Sequence, residues 1–400
     1  MLFSKPHPFY ILLLMLCSGC SYHHTVKEKY PLWGEEHNLN SDETGSIRHM
    51  QILMPALPDS ASACLLIVHG MNEHVGRYGD VARHFSNRFI VAGIDMTAHG
   101  LSNTVLMKAH KSIEAGASTY DAGDAYLEQA QLGDLQPLRD DLNLALSHLI
   151  NHCDKLSANK PLPVFILSHS LGSLVSASYL LQTDNETVKS RIKGIIFSGP
   201  AFSVTEVPGW RGWFQNPIIW LSFHAHEHFL NPHNEPLPLL LINQVLALIT
   251  VPLQDGLFDL LSLPGLRNVF SPSGPAWVEE HLSDSEEERI RQRNDNYIIR
   301  RCVLRYVLGV EKEIIQFRQN MAAFSTPYLL IYSEQDPIAP AWGNTDFAAV
   351  TRDKHEHNEL MVLTGKNHHE QLFSTPALRE QILRKIDDWL EQSISRSKPD

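Results

Sequence analysis

The sequence predicts an α/β fold: a mostly parallel central sheet flanked by helices and interrupted by a large helical insert. Three observations carry that prediction. Short, continuously apolar runs rich in β-branched residues recur along the chain, as strands buried on both faces require. Helix-period segments lie between them, the alternation that builds a parallel sheet covered by helices. Small-residue turns bearing Ser, His or Asp follow several of the runs, where such sheets collect their chemistry. The composition agrees: 400 residues at 43% hydrophobic and 20% charged can bury a large core, which excludes a disordered chain. The net charge of −12 leaves no basic face, so no nucleic acid is expected as a partner.

Residues 1–20 read as an export signal. Lys5 precedes the apolar run Phe9 to Leu16, which is too short to span a bilayer, and Cys17, Ser18, Gly19 and Cys20 follow. The ending resembles a bacterial lipoprotein signal with Cys20 as the lipidated residue; an ordinary cleaved signal or a short signal anchor is the alternative. Acylation would hold the protein at a membrane surface, facing the periplasm or the cell exterior. Residues 21–45 are polar and read as a tether. Cys64, Cys153 and Cys302 are then left, and two of them can pair in an oxidising compartment. Cys64 opens an apolar strand and is expected as a buried free thiol.

The body begins at residue 46. The predicted strands are Cys64 to Val68, Phe89 to Ile94, Val164 to Leu167, Ile195 to Phe197, Tyr328 to Tyr332 and Leu360 to Leu363. The predicted helices are Tyr78 to Phe85, Leu135 to Leu149, Leu171 to Leu181 and Leu378 to Ile394. Residues 46–203 and 320–395 form two halves of a single core, separated by an insert at 204–319.

Three strand ends carry the chemistry. Ser168-His169-Ser170-Leu171-Gly172 lies between a strand and a helix, nearly the Gly-x-Ser-x-Gly turn that lifts a nucleophilic Ser above a sheet. Ser170 is the candidate nucleophile. Asp336, after the strand at 328–332, is the candidate carboxylate that orients a His, with Glu334 as its competitor. Gly365-Lys366-Asn367-His368-His369-Glu370 offers two histidines as the general base. The order Ser, Asp, His along the chain is that of a nucleophile-elbow hydrolase. A fourth strand end, His69-Gly70-Met71, supplies a backbone N–H from Met71 that would form an oxyanion hole with the N–H of Leu171. This chemistry needs no metal and no cofactor.

With these pieces in place the sequence resembles a known family. His69-Gly70-Met71-Asn72-Glu73-His74-Val75-Gly76-Arg77-Tyr78 is similar to the His-Gly-x-x-Glu-His-x-x-Arg-Tyr signature of monoacylglycerol lipases and bacterial lysophospholipases, α/β-hydrolases also grouped with serine aminopeptidase-like enzymes. Asp95 to Ser102 resembles their Asp-x-x-Gly-His-Gly-x-Ser turn, with Ala98 at the usual Gly. Ser170, Asp336 and His369-Glu370-Gln371-Leu372 fall on their nucleophile, acid and base segments, which selects His369 over His368. Ser168 and Ser333 stand where Gly is usual, and one extra residue separates Gly365 from His369. The resemblance implies an α/β-hydrolase fold with a lid between nucleophile and acid. It also implies cleavage of carboxylic esters of single-chain lipids, monoacylglycerol or lysophospholipid.

The insert is rich in aromatics: Trp210, Trp213, Phe214, Trp220, Phe223, Phe229 and Phe258. Residues 236–254 carry no charge. A membrane span there would put Ser170 and the pair Asp336 and His369 on opposite sides of the bilayer, and Pro236, Pro238 and Pro252 interrupt it. A lid lining an acyl-chain pocket or touching a membrane fits better. Ser283 to Arg293 reads as a solvated helix. His224, His226 and His228, with His233 beyond, alternate in the lid but lack a nearby Cys or a clear third ligand, so no metal is expected. The insert at 104–133 has no assigned role. Two rival readings remain: an acyltransferase or peptidase using the same triad, and an inactive lipoprotein that binds lipid or a partner, supported only by Ser168. An epoxide hydrolase or dehalogenase is not expected, because position 170 is not Asp.

Overall fold

Strands buried on both faces carry no polar alternation, and here they assemble into one eight-stranded sheet. The computed structural model describes residues 24–40, 46–57, 61–156, 161–209, 276–301 and 303–396, with scattered positions between 212 and 260. The strands are β1 (His24–Val26), β2 (Glu35–Asn40), β3 (Ile47–Leu53), β4 (Ala63–Val68), β5 (Phe89–Ile94), β6 (Tyr120–Gly123), β7 (Val164–His169), β8 (Ile192–Ser198), β9 (Tyr328–Ser333) and β10 (Glu359–Leu363). The sheet order is β10-β9-β8-β7-β4-β5-β3-β2. Pairs from β10 to β5 are parallel, while β3 runs antiparallel to both β5 and β2. Every residue of β4, β5, β7 and β9 is buried. The six predicted strands are all present, and the four predicted helices are seen as Gly79–Phe85, Gln136–Leu156, Leu171–Gln182 and Pro376–Arg396.

The polar stretch at 21–45 requires a correction. Residues 24–40 are not a tether but a strap built into the core. β1 pairs with β6, and β2 forms the sheet edge against β3. Composition hid this because two aromatics anchor the segment. The Tyr30 hydroxyl donates to the Asp95 carboxylate at 2.8 Å, and Trp33 Nε1 donates to the Val75 carbonyl at 2.9 Å. Both side chains are buried. The insert at 104–133 supplies helix Thr104–Glu114 and β6, and so forms the other half of this strap contact.

Cys64 is likewise corrected: it is not a free thiol but is bonded to Cys153, 89 residues later, joining β4 to helix Gln136–Leu156. Periodicity places each cysteine on a buried face but cannot say that the two faces meet. Cys20, Cys302 and the histidines at 224, 226, 228 and 233 lie outside the described residues. Among the described residues no helix is long and apolar enough to cross a membrane.

The described part of the 204–319 insert includes helices Ala276–Leu282, Glu286–Asn294 and Leu304–Asn320. The last packs against the helix that follows Ser170. Phe317 stacks on Phe202 at 4.4 Å, so this end of the insert belongs to the main core.

A cross-link that closes a loop this long acts mainly on the unfolded chain. Replacing both cysteines by Ala is expected to lower unfolding stability by about 3–4 kcal/mol. Denaturant midpoints with and without reductant check this, and a midpoint that reduction leaves unchanged would show the cross-link to be immaterial.

Candidate active site

Ser170 sits on the turn between β7 and helix Leu171–Gln182 with φ 50° and ψ −118°, outside the regions ordinary residues prefer. Holding a non-glycine residue there costs about 1–3 kcal/mol, and such strain concentrates at functional sites. The neighbours explain how the turn closes. A Cβ at Gly172 would lie 2.4 Å from the His69 carbonyl oxygen, so the helix approaches β4 only because that residue is Gly. Ser168, at the usual first Gly, fits because its hydroxyl donates to the Ile196 carbonyl at 3.1 Å. The substitution therefore leaves the turn intact.

The structure brings the three strand-end residues together. His369 Nε2 lies 2.7 Å from Ser170 Oγ, and His369 Nδ1 lies 2.7 Å from Asp336 Oδ2. The other carboxylate oxygen, Asp336 Oδ1, accepts the N–H groups of Ile338 and Ala339 at 2.8 and 3.1 Å. Glu334 is exposed and accepts the Gly365 N–H, and His368 is turned away, its carbonyl accepting the Ser333 hydroxyl. Ser333, the second small-for-Gly change, thus ties the acid segment to the base segment. Burial alone would lower the pKa of His369. The charge and hydrogen bond of Asp336, with Glu370 and Glu73 behind, outweigh it and hold His369 above its ordinary value.

The turn at 69–71 lies against Ser170: a Cβ at Gly70 would sit 3.0 Å from Ser170 Cβ. His69 sets the direction of the Met71 amide. Its Nε2 accepts the Met96 N–H at 3.1 Å, so a neutral ring carries its proton on Nδ1 and donates to the Gly70 carbonyl at 2.7 Å. Burial lowers the His69 pKa and keeps that ring neutral. In a trans peptide the Met71 N–H then points opposite to the held carbonyl. Among the described residues neither the Met71 nor the Leu171 amide has a hydrogen-bond partner.

Sequence reasoning quoted Glu73 and Arg77 within a motif but gave them no role. Glu73 is a buried hub. Its Oε1 accepts the Gly70 N–H at 2.6 Å, the His169 ring at 2.7 Å and the Tyr78 hydroxyl at 2.8 Å, and its Oε2 pairs with Arg77. Arg77 continues as a bidentate pair to Glu370, at 2.8 and 2.9 Å, and stacks over Phe373. One chain of charge-assisted bonds thus joins the 69–71 turn, the residue before Ser170 and the residue after His369. Burial opposes the charge on Glu73, but Arg77 and His169 outweigh it and hold its carboxyl well below the usual range. The Glu-x-x-x-Arg spacing within the motif was the available signal.

Asp95 is a second hub. It accepts the Tyr30 hydroxyl, the Val75 and Leu101 N–H groups and the His49 ring. Ala98, where Gly was expected, has φ 72° and occupies the left-handed region despite its methyl. His99 accepts the Asn72 N–H at 3.1 Å, which steadies the residue after Met71, and burial with His69 nearby lowers its pKa to about 3. Among the described residues no group of His, Cys, Asp and Glu is arranged to hold a metal ion.

The comparisons with known proteins agree with this architecture. Residues 59–372 match the family model described as serine aminopeptidase, S33. Similar solved structures include a soluble variant of monoglyceride lipase from Saccharomyces cerevisiae in complex with a substrate analog, 14% identical, with TM-score 0.61 over 90% of this chain and 95% of that one. A monoacylglycerol lipase from Paleococcus ferrophilus is 18% identical, with TM-score 0.54 over 88% and 99%. A carboxyl esterase from Bacillus coagulans in complex with glycerol is 16% identical, with TM-score 0.54 over 90% and 98%. At these identities the likeness is one of fold, the α/β-hydrolase fold. No curated protein sequence matches the chain.

Removing the charge at the Glu73 hub leaves buried Arg77 with Glu370 as its remaining carboxylate partner among the described residues. Glu73→Gln is expected to cost about 3 kcal/mol of stability at neutral pH. The sign with pH follows from the depressed carboxyl. Its contribution is full above the unfolded value of about 4.3 and is lost as pH falls through the folded value. The stability gap between parent and variant, read from denaturant curves, should therefore narrow as pH falls from 7 to 3, beginning near the unfolded value; a constant gap would contradict the account.

Proposed function

From a chain that belongs to the serine aminopeptidase (S33) family of α/β-hydrolases, we propose an enzyme that cleaves carboxylic esters of single-chain lipids, monoacylglycerols or lysophospholipids, through an acyl-enzyme on Ser170. The observation that carries this reading is the continuous line Ser170, His369, Asp336, with both hydrogen bonds at 2.7 Å. His369 Nε2 takes the Ser170 proton as Oγ attacks the ester carbonyl. The N–H groups of Met71 and Leu171 receive the charge that develops on the carbonyl oxygen. His369 then gives the proton to the departing alkoxide. Water, deprotonated by the same ring, attacks the acyl carbonyl and releases the carboxylic acid and the free Ser170. Asp336 fixes the ring tautomer and stabilises the imidazolium.

The lipid preference rests on the similar fold of two lipases and on the insert. Trp213, Leu248 and Leu260 of the insert are exposed at 81%, 61% and 51%, apolar surface suited to a lipid boundary. Export with lipidation at Cys20 belongs to the same reading; the Cys64–Cys153 disulfide, which persists in an oxidising compartment, supports it. The family's description favours one rival, a peptidase acting on free N-termini, and amino-acyl anilides offered beside the esters test it.

Ser170→Ala and His369→Ala should each abolish labelling by a fluorophosphonate and hydrolysis of monoacylglycerols of graded chain length. A folded parent that neither labels nor turns over ester, with or without detergent, would overturn the reading. Asp336→Asn should lower kcat by about 10⁴-fold. Because His369 is held above its ordinary value and works as a base only when neutral, kcat/KM should rise with pH through an apparent pKa above about 6.5. An acid limb lying below that value would contradict the His369–Asp336 coupling.

A further inference from the structure

Two loops that the proposed reaction needs, the 69–74 turn and the 368–375 base loop, are both gripped by one short stretch of the insert. On the base side, the His369 backbone N–H donates to the His281 and Leu282 carbonyls at 2.9 and 3.1 Å, and the Glu370 N–H donates to Leu282 at 2.7 Å. Ser283 Oγ donates to the Phe373 carbonyl at 2.6 Å, and Asp284 accepts the Thr375 N–H at 2.8 Å. On the other side, the Ile299 N–H donates to the Asn72 carbonyl at 2.8 Å, and Asp295 Oδ2 bonds His74 Nε2 at 2.8 Å. Asn72 immediately follows Met71 and has φ 66°, in the left-handed region that Asn tolerates.

Helix Glu286–Asn294 spans the two grips. Ser285 caps its start by accepting the Glu288 N–H, and its end is fastened by Asp295, whose own Oδ1 accepts the Tyr297 N–H. Nine residues of helix form a rod about 13 Å long that does not stretch. The strap adds a buttress behind it: Lys27 N–H donates to Asn296 Oδ1 at 2.9 Å, and the Tyr297 hydroxyl donates to the Glu28 carbonyl at 2.9 Å.

We propose that residues 281–299 act as a fixed strut that sets the position of the oxyanion turn relative to the base loop, with Asp295 a positioning residue that works through His74 on the Met71 amide. The inference rests on the serine-hydrolase reading above. It divides the insert by role, since this stretch would stay in place when any other segment of the insert moves to admit substrate. His74 is buried and Asp295 is half-buried, with Asp95, Arg77 and the Tyr30 and Tyr297 rings around the pair, so solvent replaces the contact only in part when it is lost.

The test is Asp295→Ala beside Asp295→Asn in the full-length protein. Asn keeps one of the two acceptor oxygens that Asp295 uses and should restore part of what Ala loses. For a soluble short-chain ester, Ala is expected to lower kcat by about 10-fold or more, a fraction of the cost of losing an oxyanion donor, with KM little changed. Affinity for an alkylboronic acid, which mimics the tetrahedral intermediate at Ser170, should fall in parallel. Amide hydrogen exchange supplies a readout that needs no activity: peptides covering 69–76 should exchange faster in the Ala variant while those covering 164–168 do not. A folded Ala variant with parental kcat, boronate affinity and exchange at 69–76 would overturn the proposal. A parent without turnover would overturn the hydrolase reading instead, and the exchange result would still decide whether the strut holds the turn.

Discussion

The site depends on a buried carboxylate. Glu73 gathers the Gly70 amide, the His169 ring, the Tyr78 hydroxyl and the Arg77 guanidinium around two oxygens, and so ties the 69–71 turn to the residue before Ser170. A buried charge is costly unless it is fully bonded, so each partner is held as firmly as the charge requires. Arg77 passes the constraint on to Glu370, next to His369. The strained Ser170 backbone persists because the residue before it is fixed in this way and its own N–H and carbonyl are bonded to Ser198 and Ala201.

Asp95 has the corresponding role in the next layer out. It lies at the end of β5 and holds Tyr30 of the strap, His49 of β3 and the Val75 amide within the signature segment. The N-terminal strap is therefore not an accessory. It closes the side of the sheet where β5 meets the antiparallel strands, and it stands behind the 295–299 end of the insert. Burial opposes the Asp95 charge, but the His49 hydrogen bond and the surrounding histidines outweigh it and hold the carboxyl far below the usual range.

The described parts of the insert differ in their settings. Residues 281–299 and the helix Leu304–Asn320 are bonded or packed to the core, whereas Trp213, Leu248 and Leu260 present apolar surface outward. The proposed reaction would gain from that difference, because stabilisation by preorganised dipoles is lost when the dipoles must reorient.

Much of this was legible along the chain. Local periodicity was enough for β4, β5, β7 and β9, since a strand buried on both faces has no choice but to be apolar throughout. Strand-end placement and chain order were enough to nominate Ser170, Asp336 and His369, and motif pattern separated His369 from His368. What the sequence could not decide is every feature that joins distant segments. Tyr30 and Trp33 turn a polar stretch into a core strap only because Asp95 and Val75 come to meet them. Cys64 finds Cys153 across 89 residues, and the carbonyls of His281 and Leu282 find the His369 amide. Such contacts follow no period along the chain; they exist only once the sheet has set which faces meet, so tertiary structure alone decides them.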